Sequence, residues 1–477
     1  MYRKFQGGND RMVSVLGAVV ILFYIGTFIY CSLLHKVDKC QWVLFNATII
    51  INIFLGFGKA VFDISFIAIA IFLYTVTALL IRGRNIRLNS QNVLYLLLLV
   101  FVLFLSLVHL VMSPKMPQVI LMDDSMDSVY YGLASASEAV WSHNNISSFR
   151  DIILMCVGLL LSKDYLQDAI KRDLMLTNIK KAFYVYFIII TFEFIINNLF
   201  SPTILRDMVY HLVGMGEISQ YSKIWTAENR FGYYGVTGLF SEQSYIAVMI
   251  VFFAIVYVQG IKNMTDLRWF IYSILVLFMS GCTTGLMLIG FPAIIYIKDV
   301  LHKEKGERRS VRFWKYLLLI FVLILSLVLI NSDVGFLSEI LDKTFLKINA
   351  FLIGGNYNTS AERSAAIRYF ANGIAWNAFF ESPLFGVGIG TTRGYGILPG
   401  LFANFGILGI VSYFIFLKSI FRFTLKDKKM LLLVVIAYTS ILLSVWYSYN
   451  FALIPLYAAF CKCTITRESE KGNYVKS

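Results

Sequence analysis

Val93-Leu-Tyr-Leu-Leu-Leu-Leu-Val-Phe-Val-Leu-Phe-Leu-Ser-Leu-Val-His-Leu-Val-Met112 decides the fold. The run contains one serine, one histidine and no Asp, Glu, Lys or Arg. A helix that long covers about 30 Å, the thickness of a bilayer's hydrocarbon core. Comparable runs recur at about 12–34, 43–58, 61–81, 148–162, 182–200, 243–260, 269–280, 283–298, 314–331, 399–419, 430–447 and 450–462. Two of them are interrupted. The 43–58 run ends in Gly56-Phe57-Gly58-Lys59. The 269–298 stretch is broken by Ser280-Gly281-Cys282-Thr283-Thr284-Gly285, which reads as a tight turn between two spans or a re-entrant turn within one. The expected fold class is all-α: one polytopic transmembrane helical bundle over 1–477, with about 12–13 spans and a large helical outer loop.

Composition agrees. Of 477 residues, 58% are hydrophobic and 15% charged, where a soluble domain has about 25% charged. Mean hydropathy is +0.72. This excludes a disordered chain, and 6 Cys in 477 residues exclude a disulfide scaffold. A soluble globule this apolar would aggregate. The first run exceeds the roughly 7–15 residues of a signal peptide's apolar region, and no A-x-A site follows it, so it reads as an uncleaved helix.

The net charge of +14 has its own pattern. One group of connections is short and basic: 82–92 with Arg82, Arg84 and Arg87; 163–181 with Lys163, Lys171, Arg172, Lys180 and Lys181; Lys262 and Arg268; 302–315; and 418–429. A second group is long: 113–147, 201–242 and 332–398. The groups alternate, so the positive-inside rule assigns the basic set to the cytoplasm and the long loops to the outside. The three long loops hold 9 Lys+Arg and 13 Asp+Glu, a net −4; the remainder holds 33 and 15, a net +18. The basic excess is an orientation signal, and no nucleic-acid partner is expected. Arg3, Lys4 and Arg11 favour a cytoplasmic N-terminus, which requires that 43–58 not be a full span; the reading then has both termini inside.

Signatures of soluble catalysis are missing: no Walker A, no H-E-x-x-H, no G-x-S-x-G. Asp123-Asp124-Ser125-Met126-Asp127 reads as a solvated loop. Cys461-x-Cys463 lacks the second pair that a zinc site needs. The sequons at Asn46, Asn145, Asn263 and Asn358 are three-letter matches of little weight. No metal or cofactor is expected.

The chemistry-bearing residues lie in two long loops. The loop 332–398 is too long for a bare connection. Thr359-Ser360-Ala361-Glu362 reads as a capping box that opens a helix over about 360–380, stopping before Ser382-Pro383. Ile367, Phe370, Ala371, Ile374 and Ala378 form its apolar stripe, set against the bundle or the membrane surface. Arg363 is in the first turn on that side, and Arg368 points about 100° round. A cation there opposes the helix dipole by about 0.3–1 kcal/mol, unless an anion binds. Gly386-Val-Gly388-Ile-Gly390-Thr-Thr-Arg393 follows. Its glycines permit close backbone approach to a ligand, although a plain loop fits the same residues. With Arg363, Arg368 and Arg393 it makes a phosphate-binding cavity. The loop 201–242 supplies Arg206, His211, Arg230 and, at its membrane boundary, Glu242. Glu193 stands inside a span, where carboxylates are costly and face a cavity or a partner; a hydrogen bond to a neighbouring Asn or Ser is the plain alternative.

Three segments resemble the O-antigen polymerase/ligase superfamily of membrane glycosyltransferases. They are Gly238-Leu-Phe-Ser-Glu242-Gln-Ser-Tyr-Ile-Ala247; Arg368…Trp376…Glu381-Ser-Pro383-Leu-Phe-Gly386-Val-Gly388-Ile-Gly390; and Asn404-Phe-Gly406-Ile-Leu-Gly409. The resemblance covers roughly residues 225–415 by motif and the rest by layout. It implies a multi-pass inner-membrane enzyme that acts on undecaprenyl-diphosphate-linked glycans at the periplasmic face, and a separate chain-length regulator as partner. Ligases of that family carry a histidine about a dozen residues before the G-x-x-G pair. Here 391–403 reads TTRGYGILPGLFA, which favours a repeat-unit polymerase for O-antigen or capsule. The R-x10-G loop motif of some polymerases is one residue short at Arg206/Gly216 and Arg363/Gly373. On this reading Arg363, Arg368 and Arg230 hold the diphosphate, and Glu242 is the base or an acceptor-sugar ligand. Arg206, His211, Arg393 and the three glycines line the substrate site. A ligase acting on lipid A-core, a lipid-linked oligosaccharide flippase and a non-enzymatic scaffold remain as alternatives.

Overall fold

A computed structural model describes residues 14–55, 59–61, 64–82, 89–121, 136–200, 233–236, 250, 254, 264–280, 296–297, 300, 310–320, 360–392 and 397–421. The apolar runs form helices: α1 (Val15–Leu33), α2 (Val37–Leu55), α3 (Phe66–Arg82), α4 (Ser90–Met112), α5 (His143–Leu161), α6 (Lys163–Gln167), α7 (Ala169–Leu199), α8 (Met264–Met279), α9 (Ser360–Glu381) and α10 (Ile397–Phe421). Two small antiparallel hairpins, Lys59–Val61 with Ile64–Ser65 and Gln118–Val119 with Ser137–Glu138, lie in connections. Short polar side chains start several helices by taking otherwise unpaired N–H groups. Ser14 accepts from Gly17 N at 3.0 Å, Asn89 from Gln91 N at 3.0 Å and Asp168 from Ile170 N at 2.9 Å. Ser142 and Asn145 form a reciprocal capping box at α5.

Among the described residues, five stretches are long and apolar enough to cross a membrane: Val15–Leu33, Ser90–Met112, His143–Leu161, Thr177–Leu199 and Pro399–Ile420. The α4 helix shows why its run is so uniformly apolar. Leu96, Leu99, Leu103 and Leu107 are buried, while Leu94, Leu97, Phe101 and Phe104 are exposed on the other side. Both faces are hydrophobic, as in a helix that meets protein on one side and lipid on the other.

The helices sort into two ends. Gln167 Nε2, at the end of α6, donates to Ile420 O at 2.7 Å, so the exits of α10 and α5 lie together. Lys180 pairs with Asp266 at 3.2 Å, bringing the start of α8 to the basic part of α7. Tyr296 OH donates to Lys315 O at 2.7 Å, and the Tyr296 ring stacks on Phe270 at 5.2 Å, near the start of α8. The described parts of the basic connections therefore gather at one end. The exits of α4 and α9 and the entry of α5 lie at the other, with segments of the long loops.

The α2 helix corrects one expectation. Its start lies at the basic end, because Gln41 Nε2 donates to Leu161 O at 3.5 Å and Tyr165 OH to Asp38 O at 3.4 Å. The α1–α2 connection is the tight turn Leu34–Lys36, and the helices are antiparallel: Cys40 Sγ donates to Thr27 O and Tyr24 OH bonds Thr48 Oγ1. The start of α1 is therefore at the loop end, not with the basic connections. Arg3, Lys4 and Arg11 lie outside the described residues, but Lys36 and Lys39 flank the turn at the basic end. At 19 residues, about 28 Å, α2 has the length of a crossing, but it is not one of the five stretches that are also apolar enough, so the direction of α1 and not the span count is what changes. Gln41, Asn46 and Thr48 of α2 are buried among neighbouring helices, and Trp42 and Phe45 pack on Tyr165 at 5.3 and 5.6 Å. A helix shielded from lipid tolerates side chains that hydropathy counts against it. Burial also removes two sequons. Asn46 donates to Trp42 O at 2.9 Å, and Asn145 is 0% exposed.

Candidate functional site

The α9 helix runs Ser360–Glu381. Ala371, Ala375, Ala378 and Phe379 are its buried row, packing on the first turns of α10 with Phe379–Phe402 at 5.0 Å and Trp376–Phe402 at 5.5 Å. Phe370, placed on the buried stripe from sequence, is 62% exposed, while Ala375 takes its place. Alanines share the contact face with Phe379 and Trp376, so hydrophobicity alone does not mark it.

Beyond Glu381 the chain folds back on itself. Ser382 Oγ donates to Gly386 O at 2.8 Å, and Gly386 N to Ser382 O at 3.0 Å. Gly386, Gly388 and Gly390 have φ of 67°, 95° and 78°, a region L side chains avoid. Gly406 breaks α10 with φ 62°, and the N–H groups of Ile407 and Leu408 then donate to Pro383 O at 2.8 Å and Leu384 O at 3.2 Å. The carbonyls of the returning loop thus cap the restarted helix.

Protein, not open space, occupies the places where these glycines lack a side chain. A Cβ on Gly386 would stand 2.4 Å from Ala403 O, one on Gly406 2.4 Å from Leu384 O, and one on Gly390 2.5 Å from Asn144 O. The amides of Gly386, Val387, Thr391 and Thr392 all donate to protein acceptors. Close backbone approach is what the glycines provide, and the backbone that approaches is the protein's own.

Two buried asparagines hold this turn. Asn404 Oδ1 accepts from Thr391 N at 3.0 Å and Thr392 N at 3.1 Å, while its Nδ2 donates to Thr392 O at 3.1 Å and Gly400 O at 2.7 Å. Asn145 Nδ2 donates to Ile389 O at 2.7 Å and Thr391 Oγ1 at 2.8 Å. From α4, Ser106 Oγ donates to Phe385 O at 2.7 Å, and His109 Nε2 meets Ser382 Oγ at 3.1 Å. Thr392 bridges to Leu121, tying in the first long loop. Asn404→Leu leaves the buried Thr392 N–H unpaired and Thr391 N–H with Gly388 O alone, and is expected to cost about 2–3 kcal/mol, read as a lower Tm of the purified protein.

The arginines of α9 lie elsewhere. Arg363 and Arg368 are 18 and 13 residues before Glu381, so along the helix axis they stand about 27 and 20 Å from that end. The structure does not bring them to the glycine turn. Their side chains are outside the described residues, as are Arg206, His211, Arg230, Glu242 and Arg393 in full. The helix does bring Arg363 and Arg368 close to each other. Five residues apart, their Cα atoms are about 8–9 Å from one another.

A second polar locus was only partly legible. Tyr233-Tyr234-Gly235-Val236 lies in sequence between Arg230 and Glu242 and is strapped to the ends of α7 and α8. Asn198 Nδ2 donates to Tyr234 O at 3.0 Å, Tyr234 N to Asn198 Oδ1 at 2.8 Å, Asn197 Nδ2 to Gly235 O at 3.3 Å and Val236 N to Met279 O at 3.1 Å. Burial pushes the Tyr233 phenol up to about 12, and its hydroxyl donates to Phe278 O. Glu193 is buried one turn below Asn197. The signal in the sequence is the Asn197-Asn198 pair closing an apolar run.

Among the described residues, no three His, Cys, Asp or Glu side chains cluster as a metal site would. No protein-family model matches the chain, and a search of curated proteins finds no significant match.

Proposed function

We propose that this chain is a multi-pass inner-membrane glycosyltransferase that joins undecaprenyl-diphosphate-linked repeat units into a surface polysaccharide. The observation that carries the reading is the sorting of the bundle. The described parts of the basic connections gather at one end. At the other, α9, the helix that carries Arg363 and Arg368 in its first half, ends in an interlocked turn. An enzyme taking a lipid-borne substrate from the outer leaflet needs this asymmetry: a fixed depth in the membrane, and cations held outside it. The sequence resemblance supplies the substrate class.

In the proposed reaction, a hydroxyl on the incoming repeat unit attacks the anomeric carbon of the growing chain. The bond from that carbon to the diphosphate oxygen breaks, and undecaprenyl diphosphate leaves with the electron pair. Glu242 takes the hydroxyl proton. Arg363, Arg368 and Arg230 meet the charge on the departing diphosphate, for which the guanidinium fork is suited. Arg206, His211 and Arg393 contact the glycan. The glycines Gly386, Gly388 and Gly390 serve by positioning α9. A chain-length regulator is the expected protein partner.

Orientation is tested by labelling. With the loop end outside, Val15→Cys is expected to react with an impermeant maleimide in spheroplasts, and His35→Cys only in inside-out vesicles. The reverse pattern contradicts the proposed orientation. Function is tested by deletion. Cells that lose the gene are expected to accumulate single lipid-linked repeat units and to regain long polymer on complementation. Unchanged polymer in the deletion strain removes the proposal.

A further inference from the structure

We infer that Arg150 and Asp151 of α5 form a docking site for a zwitterionic lipid headgroup, a phosphoethanolamine, toward the loop end of the bundle. The inference goes beyond the polymerase reading and requires only that α5 crosses a membrane. From His143 to Asp151 polar side chains predominate, and from Ile152 to Leu161 the helix carries no charged, amide or hydroxyl side chain. Arg150 and Asp151 stand at that border, the level at which lipid headgroups meet a membrane helix. The depth of α5 is set by the interlocked turn, since Asn145 Nδ2 donates to Ile389 O and Thr391 Oγ1.

Charges on the lipid-facing side of a span are costly and call for a polar partner. The Arg150 side chain is 43% exposed and that of Asp151 14%. Arg150 Nε donates to Asp151 Oδ1 at 2.8 Å, and Nη2 lies 2.8 Å from the same oxygen. Among the described residues, no acceptor meets Arg150 Nη1 and no donor meets Asp151 Oδ2. The pair therefore offers an open donor beside an open acceptor, with no net charge.

The headgroup follows from those two openings. An anionic headgroup meets Arg150 but is repelled by Asp151. A choline headgroup matches both charges, but its ammonium has no N–H to donate. Phosphoethanolamine satisfies both: its phosphate accepts from the guanidinium, and its ammonium donates to the carboxylate. The arginine's long stem lets its head rise toward the phosphate, since helix side chains lean toward the N-terminus. An acyl chain has a place as well. Ile153 and Val157, half-buried, lie on the same face of α5 as Arg150 and lead from the pair toward the membrane interior.

The test uses the full-length protein in detergent, delipidated and titrated with phosphatidylethanolamine, phosphatidylcholine or phosphatidylglycerol of the same acyl chains. Native mass spectrometry reads the tightest-bound lipid. The ethanolamine lipid is expected to bind about tenfold more tightly than either of the others. Asp151→Asn is expected to bring it within about threefold of the choline lipid and to tighten the glycerol lipid about tenfold, because the site then carries a net positive charge. Arg150→Gln is expected to weaken the ethanolamine and choline lipids alike, about tenfold. Equal affinity of the unaltered protein for ethanolamine and choline lipids, a preference for the glycerol lipid, or unchanged selectivity in Asp151→Asn overturns the inference. The comparison of three lipids on the unaltered protein needs no variant, so misfolding of either variant does not shelter the inference. Polymer formation is not part of the readout. Equal lipid affinities remove this site and leave the polymerase reading, while absence of polymer with the expected lipid selectivity removes that reading and leaves the site.

Discussion

Gly386→Ala and Gly406→Ala are each expected to destabilise the protein by about 3–5 kcal/mol, more than a typical point substitution. The two residues stand back to back. Gly386 has φ 67° and Gly406 φ 62°, which any L side chain meets with strain. A Cβ on either would stand 2.4 Å from a carbonyl oxygen, with a backbone nitrogen at 2.7 Å from the first and 2.5 Å from the second. Neither neighbour is a flexible side chain that can swing away. The turn is also where α4, α5, α9 and α10 meet, so its loss frees α9 from the bundle. The check is thermal unfolding of the purified protein by intrinsic fluorescence, with size-exclusion profiles. Gly373→Ala is the internal contrast. That glycine lies within α9 with nothing within 4 Å of its Cβ position. Alanine there is expected to stabilise the helix by about 0.5–1 kcal/mol. A normal Tm for Gly386→Ala would remove the interlocked turn from the account.

The second large effect concerns activity without stability. Arg363→Ala and Arg368→Ala are each expected to lower the polymerisation rate about 10²–10³-fold, the scale of removing one charge-stabilising contact from a transition state. Both residues lie in the first half of α9, ahead of its described contacts with α10, and normal expression and Tm are expected. The lysine variants keep the charge but lose the two-pronged geometry and should fall between. Initial rates and product length on gels read the effect. Long polymer at a normal rate from either alanine variant, at normal expression, removes the arginine from its assigned role.

Sequence and structure part company in ways that follow from where each signal resides. The α4 run was legible because both its faces are apolar. The α2 helix was harder, since Gln41, Asn46 and Thr48 are hidden by other helices and no local pattern reveals that. The ends of α9 could be read from Ser360 and from Ser382-Pro383, since capping and proline sterics are local. Its buried face could not be read from hydrophobicity: three alanines share it with Phe379, while Phe370 and Phe380 are exposed. The glycine triplet was legible as a turn. Its purpose was not, because its partners Asn145 and Ser106 are more than 200 residues away in sequence. Proximity in sequence also misled. Arg363 and Arg368 precede the glycines closely in the chain, yet a rigid helix holds them apart.

The most direct test of the central claim is reconstitution. Purified protein in vesicles receives a synthetic undecaprenyl-diphosphate-linked repeat unit, and lipid-linked products are resolved by size. The account predicts a ladder of lipid-linked oligomers rising by one repeat unit, formed without metal addition or nucleotide sugar. Transfer only to lipid A-core, or movement of the lipid across the bilayer with no new glycosidic bond, would contradict it.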